Sequence, residues 1–123
     1  MSSDRTIHIG VATRESIRKR TLDIAAGRIK PEPGDPKIWI TSPKVIAEVL
    51  SQENIDLIHA IKRLSPDSVS SLAEATGRSQ GNVSRTLKRL TELGIVELVR
   101  EDRRARPVVV ADRMQLDVEF VGC

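Results

Sequence analysis

The 123-residue sequence predicts an α+β fold that is mainly helical. Two observations carry this. Between residues 43 and 92, apolar residues recur at helical spacing, and several of these runs open on a serine that can cap them. Short segments at 6–11, 95–100 and 106–111 instead alternate or are dense in β-branched residues, as strands are.

Residues 6–11 (TIHIGV) place Ile7, Ile9 and Val11 on one side of a strand. A helix follows over 13–27. Thr13 can cap it, Glu15 lies near its start, Ile17, Thr21, Ile24 and Ala25 share a face, and Gly27 can end it. Residues 28–36 (RIKPEPGDP) hold three prolines and a glycine and read as a linker. Residues 37–41 (KIWIT) form a brief strand with Trp39 as a core residue. Ser42-Pro43 opens the next helix, a hydroxyl cap followed by proline at the first helical position. Val45, Ile46, Val49 and Leu50 form its face. A further helix covers 53–64 through Ile55, Leu57, Ile58, Ile61 and Leu64, and Pro66 closes it.

The stretch at 68–99 is the most informative. Ser68 caps a short helix with Val69, Leu72 and Ala73 inward, ending at Gly77. Gly77-Arg78-Ser79 is a tight turn, and Ser79 caps the next helix. There Val83, Leu87 and Leu90 recur at i, i+4 and i+7 and point to the core, and Gly94 stops the helix. Two short helices joined by a tight turn predict a helix-turn-helix. Gly81, Arg85 and Lys88 then face outward, flanked by Asn82, Ser84 and Arg89. Small polar residues at the start of a helix allow close approach to base edges, and Asn, Arg and Lys can bond bases or phosphates. Residues 95–100 and 106–111 predict a hairpin with a charged tip at 101–105, a wing whose Arg103 and Arg104 suit phosphate or minor-groove contact. Residues 37–41 are available as a third strand of that hairpin's sheet. The whole is a winged helix-turn-helix with an N-terminal β-α arm.

Composition points the same way. Trp39 and Phe120 are the only aromatic residues, too few to stack single-stranded bases, whereas reading duplex DNA needs none. Arg78–Arg106 holds eight basic residues against four acids, an excess larger than the net +3 of the whole chain. Cys123 is the single cysteine, so no internal disulfide is possible, which fits a cytoplasmic location, and its thiol reads as solvated. No apolar run is long enough for a membrane span, and the first residues lack the apolar stretch of a signal peptide. His8, His59 and Cys123 fit no metal-ligand spacing, and no catalytic motif or phosphate loop is present, so neither an enzyme nor a cofactor is expected. His59 reads as a structural helix residue.

The order of elements resembles MarR-like winged-helix regulators. The string Leu72-Ala73, Thr76-Gly77-Arg78 and Asn82 to Lys88 is similar to a family of small prokaryotic DNA-binding proteins that act as transcriptional regulators or antitoxins, some encoded beside a toxin of the TumE type. The similarity covers residues 38–111. It implies a dimeric double-stranded DNA binder whose recognition residues map onto Ser79, Gln80, Asn82, Ser84, Arg85, Lys88 and Arg89. Gly81 departs from the serine or alanine more usual there, which implies either a looser first helical turn or a backbone that comes close to DNA. The expected role is autorepression through operator binding. The alternative is an antitoxin that neutralises a cognate toxin by direct contact.

Three regions are expected: a strand-helix arm and linker at 1–36 for dimerisation or partner binding, the winged helix-turn-helix at 37–111, and a C-terminal strand or tail at 112–123. Leu116, Val118 and Phe120 alternate with Asp117 and Glu119, so 116–121 predicts a strand. It can pair with 6–11 within the chain or across a homodimer axis. The proline-rich linker favours the crossed version, in which a chain starting at Pro36 still folds.

Overall fold

The computed structural model describes residues 5–120. Among them are five helices and five strands in an α+β arrangement. Strand β1 (Thr6–Val11) leads into α1 (Arg14–Ala25), which Thr13 caps by accepting a hydrogen bond from Ser16 N. Strand β2 (Ile38–Ile40) returns parallel to β1, with Gly10 beside Trp39. Helix α1 is thus the crossover that a parallel pair requires. Three further helices follow: α2 (Pro43–Val49), α3 (Gln52–Leu64) and α4 (Val69–Thr76), each with a serine at its N-cap. Helix α5 (Gln80–Glu92), capped by Ser79, runs into an antiparallel hairpin of β3 (Val96–Glu101) and β4 (Arg104–Val109). The last strand, β5 (Arg113–Val118), pairs parallel with the free side of β1, giving a sheet of order β2-β1-β5.

One apolar cluster joins β1, helices α2 to α5 and the hairpin. Ile9 and Val11 from β1 meet Ile46 and Val49 of α2 and Leu57, Ala60 and Ile61 of α3. The same cluster takes in Leu72 and Ala73 of α4, Val83, Leu87 and Leu90 of α5, and Ile95 and Val96 at the hairpin. Side chains alternate along a strand, so Ile7, Ile9 and Val11 face these helices while Thr6, His8 and Gly10 face the other way. On that second face the Trp39 ring covers Gly10. A Cβ built at Gly10 would lie 2.8 Å from Trp39 Cδ2, and nearer still to Cε3 and Cζ3. Arg20 of α1 lies over the same ring, 5.4 Å from its centroid.

Several expectations are corrected here. Residues 37–41 do not join the hairpin. Their strand pairs with β1, where the bare backbone of Gly10 makes room for the indole. The N-terminal segment is not a free arm, because Ile9 is 0% exposed and belongs to the common core. The two terminal strands pair within one chain rather than across an axis. The proline-rich segment does not release the N-terminus either. Asp35 accepts from Glu32 N at 2.8 Å and from Arg20 Nη2 at 2.9 Å, which ties the loop to α1. These two bonds hold the Asp35 carboxyl below its ordinary range, the Glu32 amide foremost. A chain starting at Pro36 would lose the central strand and the buried Ile9, Val11 and Ala12, so it is not expected to fold. Trp39 is half-buried rather than fully buried. Val121 and Cys123 lie outside the described residues.

The segment before β5 is secured in a similar way. Asp112 accepts from Arg5 N at 3.0 Å, its own N–H donates to Arg5 O at 2.7 Å, and Lys62 Nζ of α3 stands 3.7 Å from its carboxylate. The Asp112 carboxyl is accordingly held below its ordinary value, first by the Arg5 amide and then by the nearby Lys62 charge.

The Gly10–Trp39 contact gives a direct stability test. Gly10→Ala forces a methyl group into the indole ring, and overpacking of this kind costs about 1–3 kcal/mol. Urea denaturation should show that loss, and Trp39→Leu combined with Gly10→Ala should lose less than the two single changes added together.

Candidate nucleic-acid interface

Helices α4 and α5 are joined by the three residues Gly77, Arg78 and Ser79. Gly77 takes a φ of 71°, the left-handed region where a side chain is strained, and its N–H bonds back to the end of α4. Ser79 then turns the chain into α5, its hydroxyl accepting from Asn82 N at 3.1 Å. Val83, Leu87 and Leu90 anchor one face of α5 in the core, each no more than 1% exposed. That anchoring fixes which residues look outward. Gln80, Gly81, Ser84, Arg85, Lys88 and Arg89 are all exposed, as is the capping Ser79. A Cβ at Gly81 would meet nothing nearer than Arg85 Nη1 at 3.9 Å, so the helix is open at this point.

Asn82 behaves differently from its exposed neighbours. It is half-buried, and its Oδ1 accepts from Arg78 Nε at 2.9 Å and also from Arg78 Nη2. Arg78 Nη2 further donates to Thr86 Oγ1 at 3.2 Å. Arg78 therefore lies along the first two turns of α5 and braces the turn against the helix. Its Nη1 is buried without a hydrogen-bond partner among the described residues. The amide oxygen of Asn82 is engaged in this brace, and its amide nitrogen makes no hydrogen bond among the described residues. Arg78 is a residue whose role sequence reading missed: it lies in the turn, four residues before Asn82 and eight before Thr86, and nothing local marks the contact.

The β3–β4 hairpin closes more tightly than expected. Glu101 pairs with Arg104, so the turn is only Asp102-Arg103, with Asp102 at a φ of 55°. A positive φ at the first central position suits the right-handed twist of a two-residue hairpin. Arg103 alone of the two predicted arginines sits in the turn. It is exposed and makes no ion pair among the described residues. Arg104 belongs to β4, and its Nη1 bonds Asp67 Oδ2 at 3.1 Å, just before α4. Arg106 pairs with Glu101 at 3.2 Å. Asp67 had no signal in the sequence, being 37 residues from its partner.

These elements meet. Gln80 from the first turn of α5, Asp67 and Ser68 to Ser71 from the start of α4, and Arg103 and Arg104 from the hairpin line one cleft of about 560 Å³. The first turn of α5 and the hairpin turn thus border the same cleft. A second groove, of about 710 Å³, lies behind the turn, between α3 and the Arg78–Asn82 brace. It is lined in part by Glu53, Asp56, His59 and Arg63. His59 is a residue of α3, as expected, and its side chain is exposed. No group of three His, Cys, Asp or Glu that could hold a metal ion occurs among the described residues. No helix among them is long and apolar enough to cross a membrane.

A family model described as HVO_A0114 matches residues 49–116, more than half of the chain. The matched stretch takes in α3, α4, α5, the hairpin and much of β5, and it leaves β1, α1 and β2 outside. No curated protein matches the chain.

The brace is testable without any ligand. Hydrogen bonds to a charged group contribute about 1.5–3 kcal/mol, and less where water competes. Arg78→Ala should lower the urea unfolding free energy by about 1–2 kcal/mol, whereas Arg85→Ala, on the open face, should leave it within about 0.5 kcal/mol.

Proposed function

The chain belongs to the HVO_A0114 family, and from the arrangement of α4, α5 and the β3–β4 hairpin we propose that it is a sequence-specific duplex-DNA-binding transcriptional regulator. In this reading α4 and α5 are the two helices of a helix-turn-helix and the hairpin is its wing. Helix α5 enters the major groove by its exposed face, and the hairpin turn reaches the adjoining backbone or minor groove.

The observation that carries the reading is the exposed row on α5. Three apolar residues bind the helix to the core, while Gln80, Gly81, Ser84, Arg85, Lys88 and Arg89 stay open, and Gln80 shares a cleft with Arg103. The order along the helix matters. Its first turn is small and uncharged, which allows approach to base edges, and its later turns are basic, which suits guanine or phosphate. Gln80, Ser84 and Arg85 are assigned to bases, and Lys88, Arg89 and Arg103 to positioning on the backbone. Asn82 and Arg104 move from direct contact to support, since Arg78 and Asp67 already engage them. One such unit reads one half-site, so the regulator acts as a dimer on a two-fold operator. Repression at its own promoter is the role proposed.

The test is a gel-shift titration with DNA from upstream of its own gene and with random duplex. Arg85→Ala should weaken binding to the promoter site by about 1–3 kcal/mol and binding to random DNA by less. Arg103→Ala should weaken both and lower the slope of log affinity against log salt by about one unit. A chain that shifts neither DNA at low salt would overturn the proposal.

A further inference from the structure

The three-stranded sheet has two edges, and they are unlike. On the β2 side the edge strand is three residues long and follows Pro36 and Lys37, features that blunt an edge against further pairing. On the β5 side it is six residues long, and its sequence, RMQLDV, contains neither proline nor lysine. No other strand among the described residues lies against it. The direction of its backbone groups follows from the bonds at its ends. Arg113 N donates to Arg5 O and Glu119 N donates to Val11 O, so by alternation the odd-numbered residues bond β1. The N–H and C=O groups of Met114, Leu116 and Val118 then point away from β1, toward the open side.

The side chains on this edge also lack cover. Leu116 is 44% exposed and Val118 37%, although their register partners on β1, Ile9 and Val11, are buried. Phe120, which continues the same row beyond the strand, is 93% exposed. The edge is also complementary to itself. In an antiparallel pairing of two copies centred on Leu116, Leu116 faces Leu116, Met114 faces Val118, Gln115 faces Asp117, and Arg113 faces Glu119. Apolar residues meet apolar ones along one face, and the outward backbone groups of Met114, Leu116 and Val118 bond their counterparts. Centring on Gln115 instead would set Val118 against Asp112, whose carboxylate is already held by Arg5 N and faces Lys62.

We infer that β5 is the dimerisation edge: a second copy of this chain adds its own β5 antiparallel, in register at Leu116, making one continuous sheet across a two-fold axis. The interface is isologous, with each copy giving and receiving the same contacts. It differs from strand exchange between subunits, because β1 and β5 stay paired within each chain. The inference stands on the sheet edge alone and is measured without DNA, so it fails or holds independently of the regulatory role.

The experiment uses the full chain in light scattering at tens of micromolar. Wild type should show twice the 13.6 kDa mass of one chain. Leu116→Lys sets two like charges face to face at the axis, and at the same concentration it should show the mass of a single chain with an unchanged circular dichroism spectrum. A cysteine pair fixes the register even if that variant folds poorly. In a Cys123→Ser background, Leu116→Cys should form a disulfide-linked dimer on mild oxidation, since directly hydrogen-bonded partners lie about 5.5 Å apart at Cα. Asp117→Cys, which faces Gln115, should not. A monomeric wild type, a folded Leu116→Lys that remains dimeric, or equal cross-linking at both positions would each overturn the assignment.

Discussion

Strand β1 is used on all four of its sides, and the rest of the molecule is arranged around that constraint. Its two edges hold β2 and β5. One face sends Ile9 and Val11 into the core shared by four helices. The other face offers Gly10, the one residue there small enough to let the Trp39 ring lie against the backbone. A strand so placed cannot slip by one residue, because every side chain would change face and the indole would collide with an isoleucine or valine. Parallel neighbours on both sides also mean that neither pairing can close through a tight turn. The chain must travel out and back between them, and the helices are the segments that make those journeys.

This arrangement couples the ends of the chain to the helices that carry the exposed face. Ile9 belongs to the same cluster as Val83, Leu87 and Leu90. The rotation of α5, and hence which residues it shows to solvent, is set by a core that β1 helps to complete. The hairpin is linked to α4 by the Arg104–Asp67 ion pair, and α5 is linked to its own turn by the Arg78 brace. The pair is well exposed on both sides, so it aims the arginine more than it stabilises the fold. The polar surface is therefore presented by elements whose relative position depends on packing throughout the chain.

The limits of reading this sequence follow the range of the forces involved. Serine caps at 42, 68 and 79, the i, i+4, i+7 row on α5 and the alternation at 6–11 are local signals, and each element appears where its pattern lies. Strand partners are not local. Nothing within KIWIT says whether it joins β1 or the hairpin, and the deciding feature, Gly10, is 29 residues from Trp39 in the chain. The prolines at 31–36 have the composition of a loose linker, yet Asp35 binds the segment to Arg20 through a contact that composition does not reveal. The exposed row on α5 was legible because helical geometry dictates it. The engagement of Asn82 was not, because Asn and Arg at that spacing are as compatible with two solvated side chains as with one brace.

Charge on the candidate surface is also distributed differently from what a count of residues implies. Of the basic residues between Arg78 and Arg106, Arg78 is folded against α5, Arg104 faces Asp67 and Arg106 faces Glu101. Three of the eight are thus spent on holding the site together, and those remaining on the α5 face and the hairpin turn are Arg85, Lys88, Arg89 and Arg103. A small number of free cations can contribute only a modest number of phosphate contacts per chain, and affinity for a polyanion grows with that number. Under the regulatory role proposed above, a single copy would be a weak DNA ligand, and two copies held by a common sheet would double the contacts without a further cost of assembly on the DNA. The open β5 edge and the sparse charge on α5 are two separate features of one chain, and the two-fold dimer proposed above would answer both.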